Sequence, residues 1–181
     1  MIKQNVDMDV LKNLGNKWCF TDGDKKPKGK DRELLKVNHP EDWLAYEDAV
    51  AITSEHEGRF MGVLLDPNDS IVCIDIDKCL GKDGKIKDQE KGSLSATDIR
   101  ELVNLANSYT EISKSGKGLH IFLQSELDVS LPTTGSPEMY DGSRARFIVV
   151  TGNCFEGRDE LRTSDEAVLK AIELTASTTS K

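Results

Sequence analysis

The run IVCIDID at positions 71–77 constrains this chain more than any other stretch. Aliphatic and β-branched residues dominate it, so it reads as a strand within 70–77. Strand alternation then sends Ile74 and Ile76 to one face and Asp75 and Asp77 to the other. One face is expected to be dry and the other doubly acidic. A second apolar run spans 60–65, and Asp66-Pro67-Asn68-Asp69 between them has turn chemistry, so the two runs read as an antiparallel hairpin.

Helical periodicity appears elsewhere. Val10, Leu11 and Leu14 suggest a short opening helix that stops near Gly15, before an aromatic turn into WCFT and a polar loop, TDGDKKPKGKDRE. Pro40 suits a first helical turn, and Trp43, Leu44, Tyr46, Ala49 and Val50 predict a helix over 41–54. Ser95 and Asp98 form a capping-box pattern ahead of Ile99, Leu102, Val103 and Ala106, predicting a helix over 96–108. Strands are expected at YTEIS, at GLHIFLQ, and at PEMYD and ARFIVVT paired around Gly142-Ser143. Ser164 is placed to cap a last helix carrying Val168, Leu169 and Ile172, with TASTTSK as a polar tail. Strands and helices mix without strict βαβ alternation, which favours an α+β fold on a mainly antiparallel sheet.

Composition excludes several classes. With 181 residues, 37% hydrophobic and 31% charged, and a mean hydropathy of -0.47, the chain suits one folded domain and leaves no room for a membrane span. The start, MIKQNVDMDVLKNLGNKW, has no apolar signal region, so a cytoplasmic location is expected. The four cysteines form no CxxC, and the three histidines add no zinc-type spacing. A net charge of -8 argues against a surface that binds nucleic acid everywhere, but 17–36 carries a local basic surplus. That stretch reads equally as a solvated loop and as a phosphate-binding arm.

Three clusters can carry chemistry. Asp75 and Asp77 on one strand face repel one another, and hard oxygen ligands at this spacing suit Mg²⁺ or Mn²⁺; two ordinary solvent-facing aspartates would look the same. In SKSGKGLHIFLQ, the residues Ser113, Ser115, Gly116, Lys117 and Gly118, with Lys114, make a turn whose N–H groups and hydroxyls can face an anion. His120 follows on the strand's polar face with Phe122 and Gln124. The turn is not a Walker A loop, since the GxxxxGK[ST] spacing is absent. In PEMYDGSRARFIVVTGN, Glu138 and Tyr140 share one face, Met139 and Asp141 the other. Glu138 is the working carboxylate if Met139 faces the core, with Asp141 as the competitor. Arg146 offers a guanidinium fork for phosphate oxygens, or a surface salt bridge.

In order, these clusters resemble the archaeo-eukaryotic primase superfamily, and within it the primase-polymerase domain of phage and plasmid replication proteins. VCIDID matches its hhhDhD strand, SGKGLH its SxH-type strand and PEMYD its third acidic strand. Trp18 with Lys26-Pro27, Pro40 with Trp43, YTEISKSGKGLHIF and RFIVVTGN fit the phage branch, so the likeness covers about 15–155. MGVLL, Lys114 and Val149 depart from the family's usual residues. The resemblance implies an RRM-like palm sheet flanked by helices in a catalytic domain over 1–160, with 161–181 a C-terminal helix and tail that also reads as a linker to further domains. It implies template-directed nucleotidyl transfer from dNTP, or NTP, onto single-stranded or primed template DNA. Asp75, Asp77 and Glu138 would hold two Mg²⁺ or Mn²⁺ ions, and His120, Arg146 and the 113–118 turn would hold the triphosphate. A helicase domain or subunit is an expected companion. The 25–36 stretch could track template phosphates, and Trp18 or Trp43 could stack on a base, although core packing suits both tryptophans better. Rival readings are a non-catalytic single-stranded DNA or nucleotide-binding module, a metal-dependent nuclease and a DxD glycosyltransferase, for which the chain is short.

Overall fold

The computed structural model describes residues 3–5, 9–14, 17–90 and 93–179. In chain order they form helix α1 (Asp9–Asn13), strand β1 (Trp18–Thr21), a 3-10 turn (Pro40–Asp42), helix α2 (Tyr46–Ser54), strands β2 (Phe60–Leu64) and β3 (Ile71–Ile76), helix α3 (Ala96–Ala106), strands β4 (Thr110–Ile112), β5 (Leu119–Gln124), β6 (Glu138–Tyr140) and β7 (Phe147–Val149), and helix α4 (Asp165–Thr179). The strands make two antiparallel sheets, ordered β4-β5-β3-β6 and β1-β2-β7. The architecture is α+β.

Alternation explains the larger sheet. Ile74 and Ile76 of β3, Leu119 and Ile121 of β5 and Met139 of β6 point to one side, where Leu102 and Val103 of α3 and Val168 and Ala171 of α4 cover them. Each such side chain contributes about 1.5–3 kcal/mol by leaving water. The capping box at the start of α3 forms as expected, with Ser95 Oγ accepting from the Asp98 N–H and the Asp98 carboxylate from the Ser95 N–H. Asn107, in a left-handed conformation, ends that helix.

The opposite face is not wet along its whole length. Ile71 and Cys73 of β3, Phe122 of β5 and Tyr109 pack into a second core with Trp18, Phe20, Met61, Val63 and Ile148 of the smaller sheet. The apolar cover runs out one step further along each strand, at Asp75, His120 and Glu138, and there the candidate site begins.

Several local expectations give way to tertiary pairing. β2 and β3 are not a hairpin, because β2 pairs with β1 and β7 while β3 pairs with β5 and β6. The 65–70 turn instead carries the chain between sheets, and Lys17 Nζ clasps it through Asp66 at 2.9 Å and Asp69 at 2.7 Å. β6 and β7 are likewise separated by sheet, and their turn lies against the first one: a Cβ on Gly142 would sit 2.0 Å from the Asp66 carbonyl carbon. WCFT, which follows the expected turn and carries no strand expectation, is a fully buried strand. The helix expected over 41–54 starts only at Tyr46, because Leu44 is held extended by backbone hydrogen bonds to Trp18 in both directions. TASTTSK is helical through Thr179 rather than a trailing tail. The hydroxyls of Thr175 and Thr178 donate to the carbonyls of Pro137 (2.7 Å) and Ser136 (3.1 Å), fixing the chain that leads into β6.

Candidate active site

Strand register lines up Glu111 of β4, His120 of β5, Asp75 of β3 and Glu138 of β6 as successive cross-strand neighbours, one row across all four strands of the larger sheet. Met139 is fully buried on the helix side, which turns Glu138 to the face of Asp75. Asp141 lies beyond the end of β6, where its Oδ1 accepts from the Ser143 N–H at 3.0 Å and hydroxyl at 2.6 Å. Asp77 follows β3 directly. Asp75, Asp77 and Glu138 line one cleft of about 320 Å³ with Lys78, Gln89 and Ser136. Gln89 braces its floor, donating to the Asp77 carbonyl at 2.5 Å and accepting from the Ser136 hydroxyl at 2.7 Å.

Burial pushes the Asp75 carboxyl up to about 6; His120 opposes this, Asp77 and Glu138 add to it, and Lys25 pulls it back. Asp75 Oδ1 is buried without a hydrogen-bond partner, 3.9 Å from His120 Nε2. Burial works against a charged His120. The hydrogen bond that the ring donates to Glu111 and the charges of Asp75, Glu111 and Asp77 outweigh burial and raise the imidazole above its ordinary value. The Tyr140 hydroxyl donates to Glu138 Oε2, and the Arg146 guanidinium lies 5.4 Å over the Tyr140 ring. Arg146 is therefore one residue removed from Glu138, on an exposed rim.

The 113–118 turn is more closed than expected. The N–H groups of Gly116, Lys117 and Gly118 donate within the turn, to Ser113 O, Ser115 Oγ and Ser113 Oγ. What it offers an anion is the exposed side chains of Lys117 and Ser115, not those backbone donors. Gly118 is required for contact: a Cβ there would stand 2.9 Å from Ile76 O and 3.3 Å from Asp77 Cα. Lys114 leans the other way, with Nζ 4.7 Å over the Phe60 ring and donating to Gly23 O at 3.3 Å. That contact pins the basic loop beside the turn, and Lys25 is among the charges acting on the Asp75 carboxyl. Lys28 and Arg32 of that loop are paired with Asp22 and Glu55. Trp18 is fully buried, and Trp43 donates to Val37 O at 3.1 Å, so Trp18 cannot stack on a base.

The carboxylates fit a hard divalent cation. Asp75 has an orphaned oxygen, Glu138 and Asp77 share its cleft, and their mutual repulsion is what such an ion relieves. Among the described residues no three acidic, histidine or cysteine side chains are already gathered as an ion cage, and Glu138 is engaged by Tyr140. Sequence reasoning missed Glu111. The signal was present as a lone acid in YTEIS, set between the β-branched residues Thr110 and Ile112.

Fold and site together define an α+β protein whose antiparallel sheet carries a row of acids and one histidine, with Asp75, Asp77 and Glu138 lining a cleft. No family model matches the chain. A DNA primase-polymerase of Nitratiruptor phage NrS-1 is 28% identical over 133 residues, covering 70% of this chain and 17% of that protein. The chain thus spans about a sixth of the relative it matches, and the likeness supports a relationship to the primase-polymerases. Among the described residues no helix is long and apolar enough to cross a membrane.

Proposed function

We propose that this chain is the nucleotidyl-transfer core of a phage- or plasmid-type DNA primase-polymerase, with the β4-β5-β3-β6 sheet as an RRM-like palm. The observation that carries the proposal is the cross-strand row of His120, Asp75 and Glu138 with Asp77 at its edge. The named likeness to a phage primase-polymerase points the same way.

Asp75, Asp77 and Glu138 would hold two Mg²⁺ or Mn²⁺ ions. Bound there, such ions neutralise charge on the entering 3′-oxygen and the leaving diphosphate. The chain's own residues supply the rest. His120 Nε2, Lys117 and Arg146 bind oxygens of a dNTP triphosphate; the half-buried setting of Asp75 keeps bulk water from the reacting phosphorus; and the loop at Lys25 takes template phosphates. The shape of the floor depends on Gly118, which lets β5 approach the end of β3 closely enough for Asp77 and the turn to face one substrate.

The test is incubation of the protein with labelled dNTP, a primed template and Mn²⁺, beside Asp77→Asn. Primer extension by the wild type alone supports the proposal. Shortening of the primer selects a nuclease, and an unchanged primer with bound DNA selects a non-catalytic module.

A further inference from the structure

Glu111 has no part in the function just proposed, yet it is fully buried beside it. Its Oε2 accepts three hydrogen bonds, from the Tyr109 hydroxyl at 2.7 Å and from the N–H groups of Thr151 and Gly152 at 2.9 Å each. Consecutive N–H groups converging on one oxygen form an anion nest. Gly152 permits it: its φ is +67°, and a Cβ there would overlap the Asn5 carbonyl oxygen. The Thr-Gly pair of RFIVVTGN thereby acquires a purpose that its sequence neighbours do not reveal. The other oxygen, Oε1, stands 3.0 Å from His120 Nδ1.

A carboxylate oxygen can only accept, so the network places the proton of that bond on Nδ1. The imidazole is then held in one orientation, with Nδ1–H turned toward Glu111 and Nε2 turned toward Asp75, which lines the cleft.

We infer that Glu111 is a positioning residue: through Nδ1 it fixes the orientation and proton placement of His120, and so determines which nitrogen meets the nucleotide phosphates. The identity of that ligand rests on the function proposed above, whereas the orientation of the ring does not. Glu111 also joins β4 to the 151–152 segment beyond β7, so a merely structural role has to be separated from this one. Glu111→Gln does so. Its amide oxygen can keep the bonds from Tyr109, Thr151 and Gly152, while its NH₂ faces His120 as a donor. Nδ1 must then accept, the neutral ring carries its proton on Nε2 instead of Nδ1, and the charged acceptor that held the ring in one orientation is gone.

The experiment is long-range ¹⁵N–¹H correlation of the imidazoles in the full chain with EDTA, at a pH that neutralises the rings, with His120 identified by its loss in His120→Ala. The wild type is expected to show the Nδ1–H form and Glu111→Gln the Nε2–H form. In primer extension, Glu111→Gln should raise KM for dNTP about tenfold, the scale on which residues that orient a histidine act, with a smaller change in kcat. Added to His120→Ala, it should change KM no further. An Nε2–H ring in the wild type overturns the inference even where the variant does not fold. So does an unchanged KM after the ring has switched, or an equal rise in KM in the His120→Ala background. A wild type that extends no primer overturns the proposed function instead, and the imidazole spectra still decide the orientation.

Discussion

Asp75→Asn is expected to move stability and activity in opposite directions. Burial, with Asp77 and Glu138 adding to it, lifts the Asp75 carboxyl from 3.8 to about 6 in the folded protein. A folded value above the unfolded one means that the folded state keeps a proton the unfolded chain has released. Without metal, the contribution of Asp75 to stability is therefore greatest below about pH 4, declines as the pH rises toward 6, and stays lowered above it. A difference of this size corresponds to about 3 kcal/mol at neutral pH. The side chain is only 23% exposed, so solvent screens little of it. Asn keeps the shape and removes the charge but still leaves a polar atom in the same unpartnered place, which costs about 1 kcal/mol. The net gain should be about 1–3 kcal/mol. Guanidinium denaturation in EDTA reads it directly: the variant should be the more stable at about pH 7.5, with the difference shrinking below about 1 kcal/mol near pH 4. Primer extension by the same variant should fall at least about a hundredfold, the scale on which a key electrostatic group acts. A variant no more stable than the wild type at neutral pH would refute the electrostatic reasoning, as would a gain that persists undiminished in acid.

Three further outcomes follow from the same geometry. Glu138→Gln should abolish primer extension while Asp141→Asn keeps most of it, because only Glu138 lies in register with Asp75; the reverse pattern in folded variants would mean that the working acid lies beyond the strand. Arg146→Ala should weaken dNTP binding by about 1.5–3 kcal/mol in calorimetry, one charge-assisted contact, and unchanged affinity would place the triphosphate away from the Tyr140 rim. Gly118→Ala puts a Cβ 2.9 Å from Ile76 O and should destabilise the fold by about 1–3 kcal/mol in urea while raising KM; wild-type stability would show that the strands do not approach there as closely as described.

What the sequence made legible was local. IVCIDID, GLHIFLQ and PEMYD each declare a strand and its two faces, and the placement of Met139 against the helices was enough to put Glu138 on the same face as Asp75. The division into two sheets was not legible. Asp66-Pro67-Asn68-Asp69 and Gly142-Ser143 have the chemistry of hairpin turns, and nothing within either turn reports that its flanking strands find partners elsewhere. The two turns settle the matter together, since each packs against the other through Gly142. WCFT does not declare itself a strand for a related reason: with both faces buried it lacks the alternation by which a strand is recognised.

Glu111 shows why a site residue can be present in plain view and still be missed. Each group that gives it meaning is supplied from outside its own strand: His120 lies nine residues away, and the N–H groups of Thr151 and Gly152 lie 40 and 41 residues away. A backbone donor has no side-chain signature, so no pattern of residue types announces that an acid will find an anion nest. The nest also bears on how the two sheets are related, because β4 belongs to one and β7, which leads into Thr151 and Gly152, to the other. A buried carboxylate without those donors would be costly. With them, it holds the second sheet's exit strand to the row that carries His120 and Asp75, so the orientation of one ring and the joining of two sheets depend on the same side chain.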